Sequence, residues 1–269
     1  MCVSAVAIGA SAHWPVLLAG NRDESLARPT TALHAWNTPN GVRVWGGRDE
    51  LDGGGWLLVS ADGKAAALVT NVRDAKLQRG ESSRGQLTVA WVEAVARGQV
   101  QPFLDRLQSR EFAQSYGGYN LICGLPHQGV WWHHNNRDGI GLRQLTAGVH
   151  GVSNASLNTP WPKTRKLQDR ATLALAHENF GDLCQALWGT LTDSQPAEPS
   201  ECPETGVGLQ AERALSSVYI HWSERAYGTR SSHILALDAR GRWHMVERCY
   251  DTAMLGHLEQ RHSHQSLSW

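Results

Sequence analysis

The sequence begins MCVSAVAIGA at residues 1–10, and VLLAGNRDESLARP follows at residues 16–29. The first stretch contains a short apolar run, VSAVAI, and PVLLAG is a second run that ends just before Asn21. Short apolar runs rich in β-branched residues are typical of buried strands. The GASAHW segment between them predicts a connection, so we expect an antiparallel pair of strands at the start of the chain.

Cys2 stands at the beginning of this strand pair. Removal of Met1, which is favoured by a small second residue, makes Cys2 the first residue of the mature chain. Its thiol is a nucleophile, and a free α-amine, with a pKa of about 7.7–8.0, can accept the thiol proton. That pairing of nucleophile and base in one residue is the N-terminal-nucleophile arrangement for amide hydrolysis. The alternative is that Cys2 is a small buried apolar residue.

The cluster Asn21-Arg22-Asp23-Glu24 follows the second predicted strand. Because the end of one hairpin strand lies beside the start of the other, we expect Arg22 and Asp23 close to Cys2. A guanidinium there stabilises a thiolate and lowers its pKa, and a carboxylate can hold or orient the amine. The alternative is a solvated turn with an ion pair, which contributes little.

Outward from this hairpin, the remaining chain alternates strand and helix patterns. WLLVS and AAALVTN predict a second hairpin around ADGK, so the first 71 residues contain four predicted strands, with an irregular GGRDELDGGGW stretch between the hairpins. Helical periodicity marks four segments: QLTVAWVEAVARG, PFLDRLQSREFAQ, TPWPKTRKLQDRATLALAHENF with Pro162 in its first turn, and GDLCQALWGTLTD. Further predicted strands are YNLICGL, GVWWHHN, SSVYIHW, RSSHILALDA and RWHMVERCY.

Strands at both ends with helices between them predict a single α+β domain over residues 1–269. Residues from about 255 onward have the composition of a mobile tail. The segment DSQPAEPSECPETG, which is rich in Pro, Glu and Ser, predicts an exposed loop within the domain.

Composition narrows the classes of function. Lys plus Arg and Asp plus Glu are equal at 25 each, which argues against nucleic acid or an anionic membrane surface as partner. VSAVAI is too short to span a bilayer, and the N-terminus lacks a signal-peptide pattern, so we expect a soluble, cytoplasmic protein. Five widely spaced cysteines predict reduced thiols and neither a disulfide framework nor a zinc site.

His133 and His134 are adjacent on a predicted strand and point to opposite faces, so they cannot chelate one ion.

Nine motifs together carry a family resemblance. They are MC, LLAGNRDES-LARP, W-GGRD, GGGWL, TNVRD, S-RGQL, GYNLI, GVSNASLNTPWPK and YGTRSSHILALD. In order and spacing they resemble the NRDE family, also described as the transport and Golgi organisation protein 2 family. The match runs from residue 2 to about residue 250. This resemblance implies a four-layer α-β-β-α sandwich of the N-terminal-nucleophile hydrolase type, near the cysteine branch that includes penicillin V acylase and bile-salt hydrolase.

The resemblance also implies five catalytic residues. In that branch a processed N-terminal Cys acts with an Arg and an Asp after strand two, a mid-chain Asn and a late Arg. The matching positions here are Cys2, Arg22, Asp23, Asn154 and Arg230. Asn154 would donate to the oxyanion; a turn-forming or helix-capping role is the alternative. Arg230 would contact a substrate carbonyl or carboxylate, and a surface salt bridge is the alternative.

Two functions from different classes follow as expectations. The first is a cysteine amidohydrolase that cleaves a non-peptide amide C–N bond without a cofactor, with Asn21, Asn71 and Trp56 as substrate-binding residues. The second is a non-enzymatic haem-binding or haem-trafficking protein, since the resembled family has been linked to haem mobilisation. In that case several of the 12 Trp residues would line an apolar cleft for haem; ordinary core packing is the alternative.

Overall fold

A computed structural model describes residues 2–78, 80–126, 128–136, 139–250 and 260–265. The chain forms two compact units. Unit 1 comprises Met1–Ala27, Ala147–Ser153 and Leu157–Ser268, and unit 2 comprises Arg28–Thr146 and Asn154–Ser156. Both units therefore draw on segments that are far apart in the sequence.

The strands are, in chain order, β1 (Cys2–Ile8), β2 (Val16–Ser25), β3 (Thr30–Asn37), β4 (Arg43–Asp49), β5 (Leu57–Ser60), β6 (Ala66–Asn71), β7 (Tyr119–Leu125), β8 (Gly129–Asn136), β9 (Gly139–Gln144), β10 (Gly148–Val152), β11 (His221–Trp222), β12 (Tyr227–Leu237), β13 (Trp243–Tyr250) and β14 (Gln260–Gln265). The α-helices are α1 (Gly85–Ala96), α2 (Val100–Leu107), α3 (Arg110–Gln114), α4 (Pro162–Ala174), α5 (Phe180–Leu191) and α6 (Leu209–Ala214).

Unit 1 is built on an antiparallel sheet in the order β10-β1-β2-β12-β13-β14, with β11 paired to β12. Helices α4 and α5 pack on one face of this sheet. Alternate residues of β1, among them Val3 and Ala5, contribute to that packed core, together with Leu167 of α4 and Leu187 of α5. Since side chains alternate along a strand, Cys2 and Ser4 point to the opposite face.

The predicted first hairpin is confirmed as the pairing of β1 with β2. Its register joins Cys2 to Arg22 and Ile8 to Val16. Nearly every residue of β1 is buried, which fits a strand flanked on both sides by β2 and β10 and explains its continuous apolar run. In the connection, Gly9 adopts a φ of 57°, and its N–H donates to the Pro15 carbonyl at 2.8 Å.

Unit 2 is built on a second antiparallel sheet, in the order β3-β4-β5-β6-β7-β8-β9. Helix α1 packs against β5, β6 and β7, and α2 and α3 follow it. The core between helix and sheet includes the buried Trp91, Leu87, Val69 and Leu121. The predicted β5–β6 hairpin is present, and Gly63, with a φ of 70°, supplies its turn.

Each unit thus contributes one sheet layer and one helical layer, which confirms the predicted α+β class. Pro162 is the first residue of α4, as the sequence indicates. In unit 2, His133 stacks on Tyr119 while its neighbour His134 stacks on Trp132, so the two imidazoles point in different directions, as predicted.

Three segments differ from the sequence prediction. The first 71 residues contain six strands and not four, because β3 and β4 lie between the two predicted hairpins, where the sequence pattern predicts no strand. Their partial burial and the two glycines of RVWGGRD hide the period-two pattern. The PFLDRLQSREFAQ segment forms two helices, since the Ser109 hydroxyl accepts from Phe112 N–H and caps a new start. SSVYIHW provides a strand at His221–Trp222 alone.

The C-terminal segment was expected to be a mobile tail from about residue 255. Within it, Gln260–Gln265 forms β14, whose backbone pairs with Met245–Tyr250 of β13. Residues 251–259 and 266–269 lie outside the described residues.

A close approach between β1 and β2 makes Gly20 sensitive to substitution. A Cβ at Gly20 would overlap the Ser4 hydroxyl and the Val3 carbonyl oxygen. We therefore expect Gly20→Ala to lower the free energy of unfolding by about 2–3 kcal/mol, measured by urea denaturation.

Gly189→Ala is the matched control. Gly189 lies inside α5 with open space around its Cα. Alanine there should raise the free energy of unfolding by about 0.5–1 kcal/mol, because glycine is a poor helix former. Equal effects of the two substitutions would contradict the described register of β1 and β2.

Candidate active site

The thiol of Cys2 lies on the face of the unit 1 sheet opposite its helices. Cys2 and Arg22 are direct partners across β1 and β2, so their side chains share that face. The Asp23 backbone N–H forms a hydrogen bond with the thiol. On the other side of β1, the Ser153 hydroxyl donates to the Cys2 carbonyl at 2.9 Å. The two neighbouring chain segments therefore hold Cys2 in a fixed position, with 9% of the residue exposed.

Asp23 is the centre of a buried polar cluster on the helical face of the same sheet. Thr229 donates its hydroxyl to Asp23 Oδ1 at 2.7 Å, and the Tyr227 hydroxyl donates to the Asp23 carbonyl at 2.7 Å. Lys163, at the start of α4, is buried and close enough to stabilise the carboxylate. Asp23 therefore connects β2, β12 and α4 at the end of the sheet where Cys2 lies.

Burial governs the protonation of both groups. Burial raises the pKa of the Cys2 thiol above its usual value; the Asp23 charge adds to this increase and the Arg22 charge opposes it. Burial also raises the pKa of the Asp23 carboxyl, and the Lys163 charge opposes that change. The thiol is thus neutral near pH 7. A nucleophilic role for Cys2 consequently requires a proton acceptor beside it.

Arg230 occupies a β-bulge. The register of β12 against β2 shifts between Thr229 and Ser231, so Arg230 is the extra residue at that point. Its guanidinium donates to the Ser25 and Leu26 carbonyls, both at 3.0 Å. Burial, followed by the nearby Arg22 charge, lowers the pKa of Arg230. Arg22 and Arg230 therefore form a pair of neighbouring cations at the end of β2, where an anionic or strongly polar ligand group would be stabilised.

Asn21, for which the sequence predicts a substrate contact, forms three hydrogen bonds within unit 1. Its amide nitrogen donates to the carbonyls of Leu191 and Val218, each at 2.8 Å. Its amide oxygen accepts from the Ser232 hydroxyl at 2.6 Å. Asn21 is fully buried on the helical face, so its amide joins the sheet to the segments above it and faces away from the thiol.

The other three predicted site residues belong to unit 2. Asn154 is fully buried, and its amide nitrogen donates to both the carbonyl and the side-chain oxygen of Asn71, each at 3.0 Å. The predicted association of Asn71 with Asn154 is therefore a direct contact. Trp56 is 6% exposed, and its ring lies against Gly47, where any side chain would overlap the indole.

Lys163, Tyr227 and Thr229 are site residues that the sequence reasoning missed. Each lies within a motif that carried the family resemblance, Lys163 in GVSNASLNTPWPK and the other two in YGTRSSHILALD. The motifs supplied the signal, but nothing in their spacing shows that both converge on Asp23. That convergence depends on long-range pairing of β2 with β12 and on packing of α4.

No group of three or more His, Cys, Asp or Glu side chains suited to a metal ion occurs in the part of the chain that the structure describes. Within those same residues, no helix has the length and apolar character needed to span a membrane. All five cysteines are free thiols. Among the described residues, the candidate site consists of the Cys2 thiol, the neighbouring cations Arg22 and Arg230, and the hydrogen bonds around Asp23.

Fold and site together define an α+β protein whose first strand presents a buried cysteine beside an arginine and an aspartate. Comparison with known proteins adds the family. The family model described as "Transport and Golgi organisation 2" matches residues 1–252. The chain belongs to this family, which confirms the resemblance inferred from its motifs.

Curated relatives agree with this assignment. The Transport and Golgi organization protein 2 homolog of Bos taurus is 31% identical over 252 residues, covering 90% of this chain and 87% of the relative. The Homo sapiens homolog is 30% identical over 257 residues, covering 91% and 90%. The Drosophila melanogaster protein is 25% identical over 248 residues, covering 87% and 86%.

Solved structures that are similar to this chain include the following two. A C2A mutant of conjugated bile acid hydrolase from Clostridium perfringens has a TM-score of 0.43 and 11% identity, covering 98% of this chain and 97% of that one. Penicillin V acylase from Agrobacterium tumefaciens has a TM-score of 0.43 and 10% identity, covering 92% and 83%.

The electrostatics of the thiol can be tested with two opposite substitutions. Arg22→Gln removes a charge that lowers the pKa of Cys2, and Asp23→Asn removes one that raises it. Alkylation of Cys2 by iodoacetamide, followed by mass spectrometry across pH, should therefore shift to higher pH in Arg22→Gln and to lower pH in Asp23→Asn. Cys202, which is partly exposed, is the internal reference thiol. Shifts of the same sign in both variants would contradict the described geometry.

The structural role of Asn21 has its own test. Asn21→Ala removes three buried hydrogen bonds and leaves two carbonyls without that donor. We expect the free energy of unfolding to fall by about 2–4 kcal/mol in chemical denaturation. Ser232→Ala, which removes one of those three bonds and the hydrogen bond between the Ser232 and Tyr250 hydroxyls, should cost less. A variant of unchanged stability would show that the three bonds are weak.

Proposed function

We propose that this protein is a cysteine amidohydrolase of the N-terminal-nucleophile type, which cleaves a non-peptide amide C–N bond after removal of Met1. The observation that supports this proposal is the position of the Cys2 thiol, directly across from Arg22 and hydrogen-bonded by the Asp23 N–H. A strand-borne thiol that lies beside a cation and accepts a main-chain hydrogen bond is suited to forming a thiolate during reaction.

The reaction begins with attack of Cys2 Sγ on the amide carbonyl carbon. The free α-amine of Cys2 accepts the thiol proton, which a neutral buried thiol must lose to react. The C–N bond then breaks, and the α-amine delivers that proton to the leaving nitrogen. A thioester remains on Cys2. Water attacks this thioester, the C–S bond breaks, and the acid product leaves with the thiol restored.

Each remaining site residue has a role in this proposal. Arg22 stabilises the developing thiolate. The Asp23 carboxyl, which is held at the end of β2, orients the α-amine. Arg230 offers a cation to a polar group of the substrate. Asn154, the residue after Ser153 in the chain, is the proposed oxyanion donor. Its two donated bonds to Asn71 mean that one N–H must exchange partners during reaction.

Substrate contacts from Asn71 and Trp56 complete the proposal. Asn71 can accept or donate once Asn154 releases it, and Trp56 supplies a broad apolar surface. We also propose the cytoplasm as the location, because five free cysteines, the proposed catalytic thiol among them, fit a reducing compartment.

The direct test combines intact-mass analysis with labelling by an electrophilic cysteine probe. The native chain should lack Met1, and the adduct should map to Cys2. A panel of N-acyl p-nitroanilides, varied in acyl length, should then show turnover that is abolished in Cys2→Ala. Retention of Met1 in the native protein would overturn the mechanism, because the α-amine would then be absent from Cys2.

Cys249→Ala is the matched control for this test, since Cys249 is a free thiol on β13 of the same sheet. It should keep both Cys2 labelling and turnover. Loss of turnover in Cys249→Ala with Cys2 intact would show that the nucleophile has been misassigned.

Haem binding is the competing prediction. The indole rings with aromatic partners are divided between the units, with Trp14 packed on Phe180 in unit 1 and Trp91 on Phe103 in unit 2. That distribution gives no particular support to a single Trp-lined cleft that binds haem. Titration of haemin into wild type and Cys2→Ala distinguishes the functions: a Soret shift that is lost in the variant, together with no amide turnover, favours the haem carrier.

A further inference from the structure

The sheet face that carries Cys2 begins with two rows of mostly polar side chains. Direct strand pairing defines both rows. The first row runs across β1, β2, β12 and β13 as Cys2, Arg22, Ser231 and Cys249. The second row runs across the same strands as Ser4, Gly20, His233 and Glu247.

Beyond these two rows the same face becomes apolar. The third row consists of Val6, Leu18, Leu235 and Met245. All four are buried. The polar side chains are therefore confined to the end of the sheet where the thiol lies, which links them to the site and not to general packing of the face.

Ser4, Ser231 and His233 lack hydrogen-bond partners for their side chains among the described residues. They are 0%, 3% and 1% exposed. Burial lowers the pKa of His233 to about 3, so its imidazole is neutral and carries one donor and one acceptor nitrogen. Buried polar groups of this kind normally bind ordered water or a ligand, because leaving them unsatisfied is costly.

Gly20 allows two of these groups to approach the same space. The Ser4 hydroxyl occupies the position that a Gly20 side chain would fill, and His233 lies directly across from Gly20 on the other neighbouring strand. Ser4 is two residues from Cys2 on the same face of β1. A small molecule bound between Ser4 and His233 therefore lies next to the thiol.

We propose that Ser4 and His233 hold buried water beside Cys2, and that this water hydrolyses the acyl-enzyme. The proposal rests on the proposed function. His233 accepts a hydrogen bond from the water and Ser4 donates one to it, which fixes its oxygen toward the thioester carbon. The new O–C bond forms as the C–S bond breaks. The α-amine of Cys2 takes the water proton and returns it to the thiolate. Ser4 and His233 are positioning residues in this step.

Acyl-enzyme accumulation is the readout that a merely structural role would not change. In Ser4→Ala and His233→Leu, release of p-nitroaniline in the first turnover should stay close to wild type. Hydrolysis of the thioester should slow by about 10-fold to 100-fold, so that intact mass shows acylated Cys2 during turnover. Unchanged deacylation in both variants would overturn the catalytic role of the water.

Two matched substitutions control for loss of a buried polar side chain. Ser217→Ala removes a buried hydroxyl that already donates to the Tyr219 carbonyl. His133→Leu removes a buried imidazole in unit 2. Both should leave the ratio of acylation to deacylation rates unchanged, whatever their effect on stability. Acyl-enzyme accumulation in either control would overturn the assignment to Ser4 and His233.

A high-resolution crystal structure tests the water site without relying on catalysis. Ordered water within hydrogen-bond distance of Ser4 Oγ and a ring nitrogen of His233 supports the site, and its absence there overturns it. If wild type forms no acyl-enzyme while the water is present, the proposed function and the catalytic role fail together, and the hydration site stands. If acyl-enzyme forms but the water is absent, the proposed function stands and this inference fails.

Discussion

Antiparallel pairing of the first strand with the second is the constraint on which the candidate site depends. The register places Cys2 across from Arg22 and delivers the Asp23 N–H to the thiol. If β1 slipped by one residue against β2, the Cys2 side chain would face the helices while Arg22 stayed on the opposite face, since alternate side chains face opposite sides of a sheet. The register is held by close contact at Gly20 and by a strand on each side of β1.

The site also concentrates buried charge at one end of that sheet. Asp23, Lys163, Arg22 and Arg230 lie around the ends of β1 and β2, and the first three are almost fully buried. Buried charges are costly unless they are paired and hydrogen-bonded, so their retention here is more typical of chemistry than of stability. Thr229 and Tyr227 supply two of the compensating hydrogen bonds, and both come from a strand more than two hundred residues after Asp23 in the chain.

Local sequence patterns predict the first hairpin and the residues that it brings together. The runs VSAVAI and PVLLAG fix the first hairpin, and the hairpin alone brings Arg22 to Cys2. β3 and β4 were missed because partial exposure and glycine weaken the alternation that marks a strand. The pattern does not show that the Asn21 side chain points to the helical face, on the side of β2 opposite to Arg22. Lys163 reaches Asp23 through packing of α4 on the sheet, a relationship that no spacing in the sequence expresses.

The second neighbour of β1 has a bearing on maturation. β10 begins at Gly148, so the ribosome must extend the chain by about a hundred and fifty residues before that edge of the first strand can be covered. Until then the N-terminus is an open strand edge, accessible to a peptidase. Once β10 is in place, the Ser153 hydroxyl binds the Cys2 carbonyl and the first residues lie between two strands. If Met1 is removed as we propose, its excision is therefore easiest during synthesis, and the timing of translation becomes part of how the proposed nucleophile is generated.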